Sequence, residues 1–442
     1  MANSAHAVTQ AQGLRARFQA GVFWNAVAAV ATQGSTFLAN LVIANLLGLD
    51  GFGEFSIVYT TVLAAAGIAQ VATGVTATKY IAEFRDLEKD RAGRVLGLCA
   101  LVSLVGGVVA TILVMSSAPW LASHVLRAPH VVNELAVAAG FILFSAANGY
   151  QQGALAGFEG YRRLARISIG VGVVHVGSVV LATYWWGFMG AVTAIVASAV
   201  IRWVLFNIAL RAEADRWGIV IRYRDALSER TILHRFAVPA AIAGLSTMPA
   251  VWLSNVFLAQ QPGGYGQVGL FSAANNLRNL VLFLPALTNN VGQALLNNQK
   301  GRRDQARYTK VFWANTAATA ALLLAASAVV AIFGKLLLGL YGDTFIEAYP
   351  ILMVLLVAAV MEGMATSTYQ VVQSQERMWV SLFGIALPRD LLLVGGAYIL
   401  AVGHGGLGLA TAFALAAAGG LVATVFAVRR IGLGVSVSTS TR

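Results

Sequence analysis

Long apolar runs alternate along the whole chain with short polar stretches rich in arginine. A helix crossing the hydrocarbon of a bilayer needs roughly 20 apolar residues. Runs of that length lie at 19–47, 55–78, 95–117, 132–156, 167–186 and 187–210, and again at 232–259, 268–297, 311–333, 348–373, 380–402 and 405–428. The pattern predicts an all-α polytopic membrane protein of about 12 transmembrane helices. Two joins leave almost no room for a loop: Tyr184–Trp186 between the fifth and sixth runs, and Gly403–His404–Gly405–Gly406 between the last two. Aromatic and glycine residues suit interfacial hairpins.

Charge orients the spans. Of the 30 lysines and arginines, 25 fall on one side of the alternation, and only Arg127 and Lys335 fall on the other. Arg202, Arg278 and Arg389 lie inside runs. The excess of basic residues on cytoplasmic loops places both termini in the cytoplasm of a bacterial inner membrane and requires an even number of spans.

The longest basic loop, 211–235, separates a first six-helix lobe at 19–210 from a second at 232–428, with tails at 1–18 and 429–442. Gly51-Phe52-Gly53 is echoed by Gly264-Tyr265-Gly266, each in the outer loop after its half's first helix. Tyr150-Gln151 is echoed by Tyr369-Gln370 near the inner end of each half's fourth helix. Both echoes fit a parallel duplication, hence two lobes around a central cavity.

Composition agrees. The 442 residues are 58% hydrophobic and 11% charged, too few charges to cover a water-soluble surface of this size. The formal charge of +12 would suggest nucleic acid in a soluble protein. Here it follows the loops and speaks of topology, so no nucleic-acid partner is expected. Cys99 is alone and reads as a small core residue. Residues 1–18 hold no hydrophobic stretch, and the first run is too long for a signal peptide, so it is expected to be retained. There is no phosphate-binding glycine loop ending in Lys-Ser or Lys-Thr, and no His/Glu pair has zinc spacing. No cofactor or metal is expected.

Polar residues within spans are the candidate chemistry, because charges in the bilayer core are costly and face a cavity or a partner. Arg278 lies roughly 15 Å into the eighth run at 1.5 Å per residue. Glu362 sits near the middle of the tenth, and Pro388, Arg389 and Asp390 lie within the eleventh. Arg278 and Arg389 form a candidate cationic patch for phosphate oxygens. The alternative is internal ion pairing with Glu362 or Asp390. Arg389 and Asp390, being adjacent on a helix, point about 100° apart and need not pair. In the eighth run Asn275, Arg278, Asn279, Asn289, Asn290, Gln293 and Asn297 fall within an arc of about 120° at 100° per residue. That arc reads as a cavity-lining face, with hydrogen bonding between helices as the alternative. Prolines 239, 249, 285 and 388 make bending plausible in the second half. The first run carries a weaker stripe of Asn25, Thr32, Gln33, Thr36 and Asn40. Arg202, nearer the inner end of its run, reads as snorkelling to the cytoplasm. His175 reads as structural.

The start of the chain supplies a resemblance. Gly21-Val22-Phe23-Trp24-Asn25 is followed by Leu47-Gly48-Leu49-Asp50-Gly51-Phe52-Gly53 and, after the second run, by Thr78-Lys79-Tyr80-Ile81-Ala82-Glu83. This resembles the polysaccharide (O-antigen type) flippases of the multidrug/oligosaccharidyl-lipid/polysaccharide exporter superfamily. Their first hairpin carries a leucine-glycine-x-x-glycine-phenylalanine-glycine turn. The motif covers roughly the first 85 residues and carries no chemistry. The resemblance implies a transporter, not an enzyme. It would flip undecaprenyl-diphosphate-linked oligosaccharide to the outer leaflet by alternating access, for polysaccharide or O-antigen (lipopolysaccharide) biosynthesis. The lipid-linked glycan, the bilayer and glycan polymerase or export machinery would be its partners. No residue role transfers. The cavity candidates Arg278, Arg389, Asn275, Asn279, Asn290, Gln293 and Asn25, and the coupling candidates Glu362 and Asp390, rest on the residues themselves.

Two rivals stand beside this. A multidrug antiporter of the same superfamily would want deep carboxylates for cationic drugs; Glu362 and Asp390 keep it open. A membrane glycan polymerase or ligase would want a large outer loop, and the longest here, around Pro119 to His130, is short.

Overall fold

The computed structural model describes residues 2–70, 72–232, 247–301, 305–374 and 378–431. Described elements are helical throughout. They are α1 (Ala2–Ala69), α2 (Thr73–Phe84), α3 (Lys89–Trp120), α4 (Val132–Ala138), α5 (Gly140–Gly157) and α6 (Tyr161–Trp217). Then come α7 (Thr247–Ala259), α8 (Gly264–Gly301), α9 (Gln305–Gly339), α10 (Tyr349–Ser374) and α11 (Leu387–Ile431). The part of the seventh run at 233–246, with Pro239, lies outside the described residues.

Among the described residues seven helical stretches are long and apolar enough to cross a membrane, and three of them, Ala20–Ala69, Tyr161–Trp217 and Trp379–Arg430, run to 50, 57 and 52 residues. Each of these three is broken by one glycine with positive φ: Gly48 (φ 71°), Gly187 (φ 55°) and Gly405 (φ 55°). Side chains are strained in that conformation and glycine is not. A Cβ on Gly190 would meet the carbonyl oxygen of Ala182 at 1.8 Å, and one on Gly408 that of Leu400 at 2.0 Å. Residues eight apart in a straight helix are about 12 Å apart, so the chain folds back at Gly187 and Gly405. Counting each broken stretch twice, and adding α7 and α8, gives the twelve transmembrane helices of the sequence reading. The joins expected at Tyr184–Trp186 and Gly403–Gly406 thus shrink to a single glycine. Tyr184, Trp185 and Trp186 stay exposed beside the first of them, as suits an interfacial belt.

The inter-lobe loop begins later than the hydropathy suggested. α6 continues to Trp217, because Glu213 is buried against Arg163 (3.1 Å) and Arg216 (3.7 Å), and stops at Gly218 in the left-handed conformation. Pro388 follows a π-helical turn, Leu382–Ala386, in keeping with the missing donor of proline.

The chain divides into two compact units. The first comprises Met1–Leu46, Val58–Ser123 and Ala128–Ile242. In it α2 packs backbone to backbone on α5. Gly149, Gly153 and Gly157, spaced by four, form one small-residue stripe. A Cβ on Gly153 would lie 2.0 Å from the carbonyl oxygen of Gly74, and Thr78 donates to the Gly153 carbonyl at 2.9 Å. Small residues at this spacing let helices approach where lipid offers no hydrophobic drive. Cys99 is buried in the adjoining cluster with Ile81, Phe84, Leu96, Tyr150 and Phe158. The basic end is cross-linked: Arg85 donates to the Gly157 carbonyl (2.7 Å), pairs with Glu159 and stacks on Trp217, and Arg94 pairs with Glu229 at 2.9 Å.

The second unit comprises Leu47–Ile57, His124–Arg127 and Ala243–Arg442. Here the two echoed turns pack against each other. A Cβ on Gly53 would fall 1.9 Å from the Tyr265 carbonyl oxygen, and one on Gly269 would fall 2.5 Å from that of Leu49. Tyr265 donates to the Leu126 carbonyl at 2.5 Å, and Arg127 to that of Gln260 at 3.1 Å. Phe52 lies fully buried among Tyr341 and Phe345 at centroid distances of 6.0 and 5.8 Å. The glycine-phenylalanine-glycine segment, expected in an outer loop, is helical and follows the break at Gly48; it is a packing device, in which glycine allows backbone contact and phenylalanine fills the core beside it.

A Gly53→Ala variant is expected to lower the melting temperature of the detergent-purified protein, at a cost of about 1–3 kcal/mol for overpacking. Gly170→Ala, with nothing within 4 Å of its added methyl, is expected to change stability by less than about 1 kcal/mol. Equal melting of both variants would show that the turn contact carries no stability.

Candidate functional site

In the second unit, the deep arginines are compensated. Arg278, with 7% of its side chain exposed, pairs with Glu362 of α10, which is 39% exposed. The same guanidinium donates to Asn275 Oδ1 at 3.0 Å and to Asn279 Oδ1 at 3.5 Å, and lies 5.5 Å from the Phe413 ring centroid. Arg389 Nε and Nη2 reach Asp390 Oδ1 at 2.9 and 2.8 Å, although the two are adjacent. Thr247 joins them, accepting from Arg389 and donating to Asp390 Oδ2 at 3.2 Å. The expectation that neighbours on a helix need not pair gives way to side-chain length: arginine curls back along the helix surface to reach Asp390. Two cations and two carboxylates cancel, so these groups together are polar and neutral. Asn275 and Asn279 join the Arg278 group as their arc suggested. The side chains of Asn289, Asn290, Gln293 and Asn297 lie outside the described residues.

The first unit holds a cavity of about 280 Å³. Thr32, Thr36 and Asn40 of α1 line one wall, at i, i+4 and i+8, so most of the weak stripe of the first run faces a cavity of its own unit. Asn25 is exposed and lies off this cavity. α5 contributes Ser145, Asn148 and Gln152, and α6 contributes His175, Ser198 and Arg202. His175 Nδ1 lies 2.9 Å from Ser198 Oγ, whose own proton is directed to the Ala194 carbonyl at 2.7 Å. Asn148 donates to the Ala199 carbonyl at 3.2 Å and leaves Oδ1 buried without a partner.

The sequence places Arg202 near the inner end of its run, within snorkelling reach of the cytoplasm. Arg202 is 15 residues from Gly187, about 22 Å along a span of roughly 30 Å, and the structure sets a cavity beside it. It lies in the cavity, within electrostatic reach of Tyr59 and His175. Among the described residues no carboxylate pairs with it. The signal was present: Ile195, Ser198 and Arg202 share one face of α6, as Phe141, Ser145, Asn148 and Gln152 share one of α5. Each set is short and mixed with alanine and isoleucine, so it looks like ordinary packing until the faces are brought together.

Comparison with known proteins agrees with this architecture. The profile of a family described as "polysaccharide biosynthesis protein" matches residues 18–295, more than half the chain. The EPS I polysaccharide export inner membrane protein EpsE of Ralstonia nicotianae is 26% identical over 412 residues, covering 87% of this chain and 88% of that protein. Its counterpart from Ralstonia solanacearum is 24% identical over 410 residues, covering 88% of each. Among solved structures, a multidrug-resistance MATE transporter of the MOP superfamily in an inward-facing conformation superposes with a TM-score of 0.75 at 18% identity, covering 92% of this chain and 98% of that one. A MOP-superfamily transporter from Pyrococcus furiosus, whose reversed pocket polarity suggests a different function for it, superposes at 0.69 with 20% identity, covering 93% and 95%. These structures establish the fold.

Breaking a buried pair costs more than replacing it. Arg278→Leu alone is expected to destabilise the detergent-purified protein by about 2 kcal/mol, below the range for fully buried pairs because Glu362 is partly exposed. Arg278→Leu/Glu362→Leu is expected to recover most of the loss. A double variant no more stable than the single one would show that the pair is not the source of the cost.

Proposed function

The chain belongs to the family of polysaccharide biosynthesis proteins, and from that premise we propose that it carries an undecaprenyl-diphosphate-linked oligosaccharide across the bacterial inner membrane. Alternating access of the two lobes moves the glycan from the cytoplasmic to the outer leaflet, both termini facing the cytoplasm. The product feeds polysaccharide or O-antigen assembly by a polymerase or export machinery outside.

One observation carries the choice of cargo. In the second unit the carboxylates of Glu362 and Asp390 are covered by arginines, and in the first unit Arg202 lines a cavity and has no carboxylate partner among the described residues. A cavity of that polarity favours anions and disfavours cations. The relatives named for polysaccharide export point the same way. A drug antiporter would need an uncovered carboxylate, so the shared fold alone does not favour that reading.

In this proposal the polar face of α8, with Arg278, Asn275, Asn279, Asn290 and Gln293, meets the cargo together with Arg389 and with Asn25 of α1. Neutral amides and paired charges suit sugar hydroxyls, which both donate and accept. Glu362 and Asp390 are the groups through which an ion gradient would couple, by releasing their arginines when protonated.

Deleting the gene is expected to make lipid-linked oligosaccharide accumulate on the cytoplasmic face and to remove surface polysaccharide, both restored by complementation. An unchanged lipid-linked pool with new sensitivity to cationic drugs would overturn the proposal in favour of drug export. Arg278→Glu/Glu362→Arg is expected to keep the pair and the membrane level but lose export. Export at the wild-type level by this variant would remove Arg278 from the cargo path.

A further inference from the structure

We infer that the cavity of the first unit is a binding site for a phosphate or diphosphate group, with Arg202 as its charged ligand. The inference rests on the flippase reading only for the source of that phosphate. The site itself rests on four features of this unit.

The first is the contrast in charge. Arg85, Arg91, Arg94, Arg163 and Arg222 of the same unit each hold a carboxylate, as do Arg278 and Arg389 of the other. Among the described residues Arg202 has no carboxylate partner and lies near Tyr59 and His175. A guanidinium inside a spanning helix without a counter-charge is costly, and a bound anion removes that cost.

The second is position. The guanidinium lies about 22 Å along the arm from Gly187, inside a hydrocarbon layer of roughly 30 Å, and it is one of the groups that line the cavity.

The third is the composition of the walls. Thr32, Thr36, Asn40 and Gln70 supply hydroxyl and amide groups, and among the described residues no acidic side chain lines the cavity. Ser145 and Gln152 add a hydroxyl and an amide from α5. The planar fork of arginine matches two phosphate oxygens at once.

The fourth is size. A volume of about 280 Å³ is at the lower end of ligand pockets. It admits a diphosphate with at most the first sugar, and excludes a polyprenyl chain or a whole oligosaccharide. The site therefore reads the junction of a lipid-linked glycan, the part common to cargoes that differ in sugar sequence.

The test uses the full-length protein in lipid nanodiscs, with binding measured for inorganic phosphate, inorganic pyrophosphate and a polyprenyl diphosphate at fixed ionic strength. Wild type is expected to bind pyrophosphate and the polyprenyl diphosphate. Arg202→Gln is expected to weaken both by about 10- to 100-fold, the scale of one charge-assisted contact. Arg202→Lys, which keeps the charge and loses the fork, should fall between them. If Arg202→Gln does not fold, Arg202→Lys and Asn40→Leu carry the test, each expected to weaken binding several-fold. Polyprenyl diphosphate bound equally by wild type and these variants overturns the site and leaves the flippase reading standing. Pyrophosphate bound through Arg202, with polyprenyl diphosphate excluded, supports the site, assigns it to a soluble anion and overturns the flippase reading. Failure of wild type to bind any of the three overturns the site.

Discussion

Hydrocarbon cannot hydrogen-bond to a peptide, so a chain that lives in it must satisfy each backbone group within its own helix. The architecture described here follows from that requirement. Where two spans meet at Gly187 or Gly405, a loop would expose several unpaired carbonyls and amides. A single glycine with φ of 55° reverses the chain while leaving the helices on either side nearly complete. Where spans must touch, they do so backbone to backbone, as Gly153 on Gly74 or Gly53 on Tyr265, because apolar side chains gain little from leaving lipid. Glycine is abundant in this chain, with 45 residues, because it serves both as hinge and as contact.

The same solvent disciplines charge. A guanidinium away from water must find a partner, and arginine's length lets it take one from a facing helix, as Arg278 does, or from the next residue, as Arg389 does. These pairs turn four formal charges into neutral polar surface. Such a surface hydrogen-bonds without attracting ions of either sign, which suits a sugar. Arg202 has no carboxylate partner among the described residues and lines a polar cavity instead.

Much of this was legible in the residues. The twelve spans could be counted from hydropathy, and the glycine-phenylalanine-glycine turn and its echo marked corresponding places in the two halves. Asn275 and Asn279 were placed on the face with Arg278 by helical spacing alone. Partner choice was not legible. Nothing local says that Arg278 pairs with a residue 84 positions away while Arg389 pairs with its neighbour. Nor could the residues show that the two echoed turns pack together, since an echo in sequence is silent about contact.

The sequence by itself determined that the chain lies in a membrane, how many times it crosses and which ends of its helices are basic. These are one-dimensional properties: each depends on the summed hydropathy of about 20 consecutive residues or on the charge of a short loop. Only the tertiary structure decided which buried charges are compensated. Three half-polar faces from α1, α5 and α6 converge on one cavity that Arg202 lines. Compensation depends on distances of a few ångströms between residues far apart in the chain. Coulomb energy falls with separation in space, and no pattern along the sequence encodes that separation.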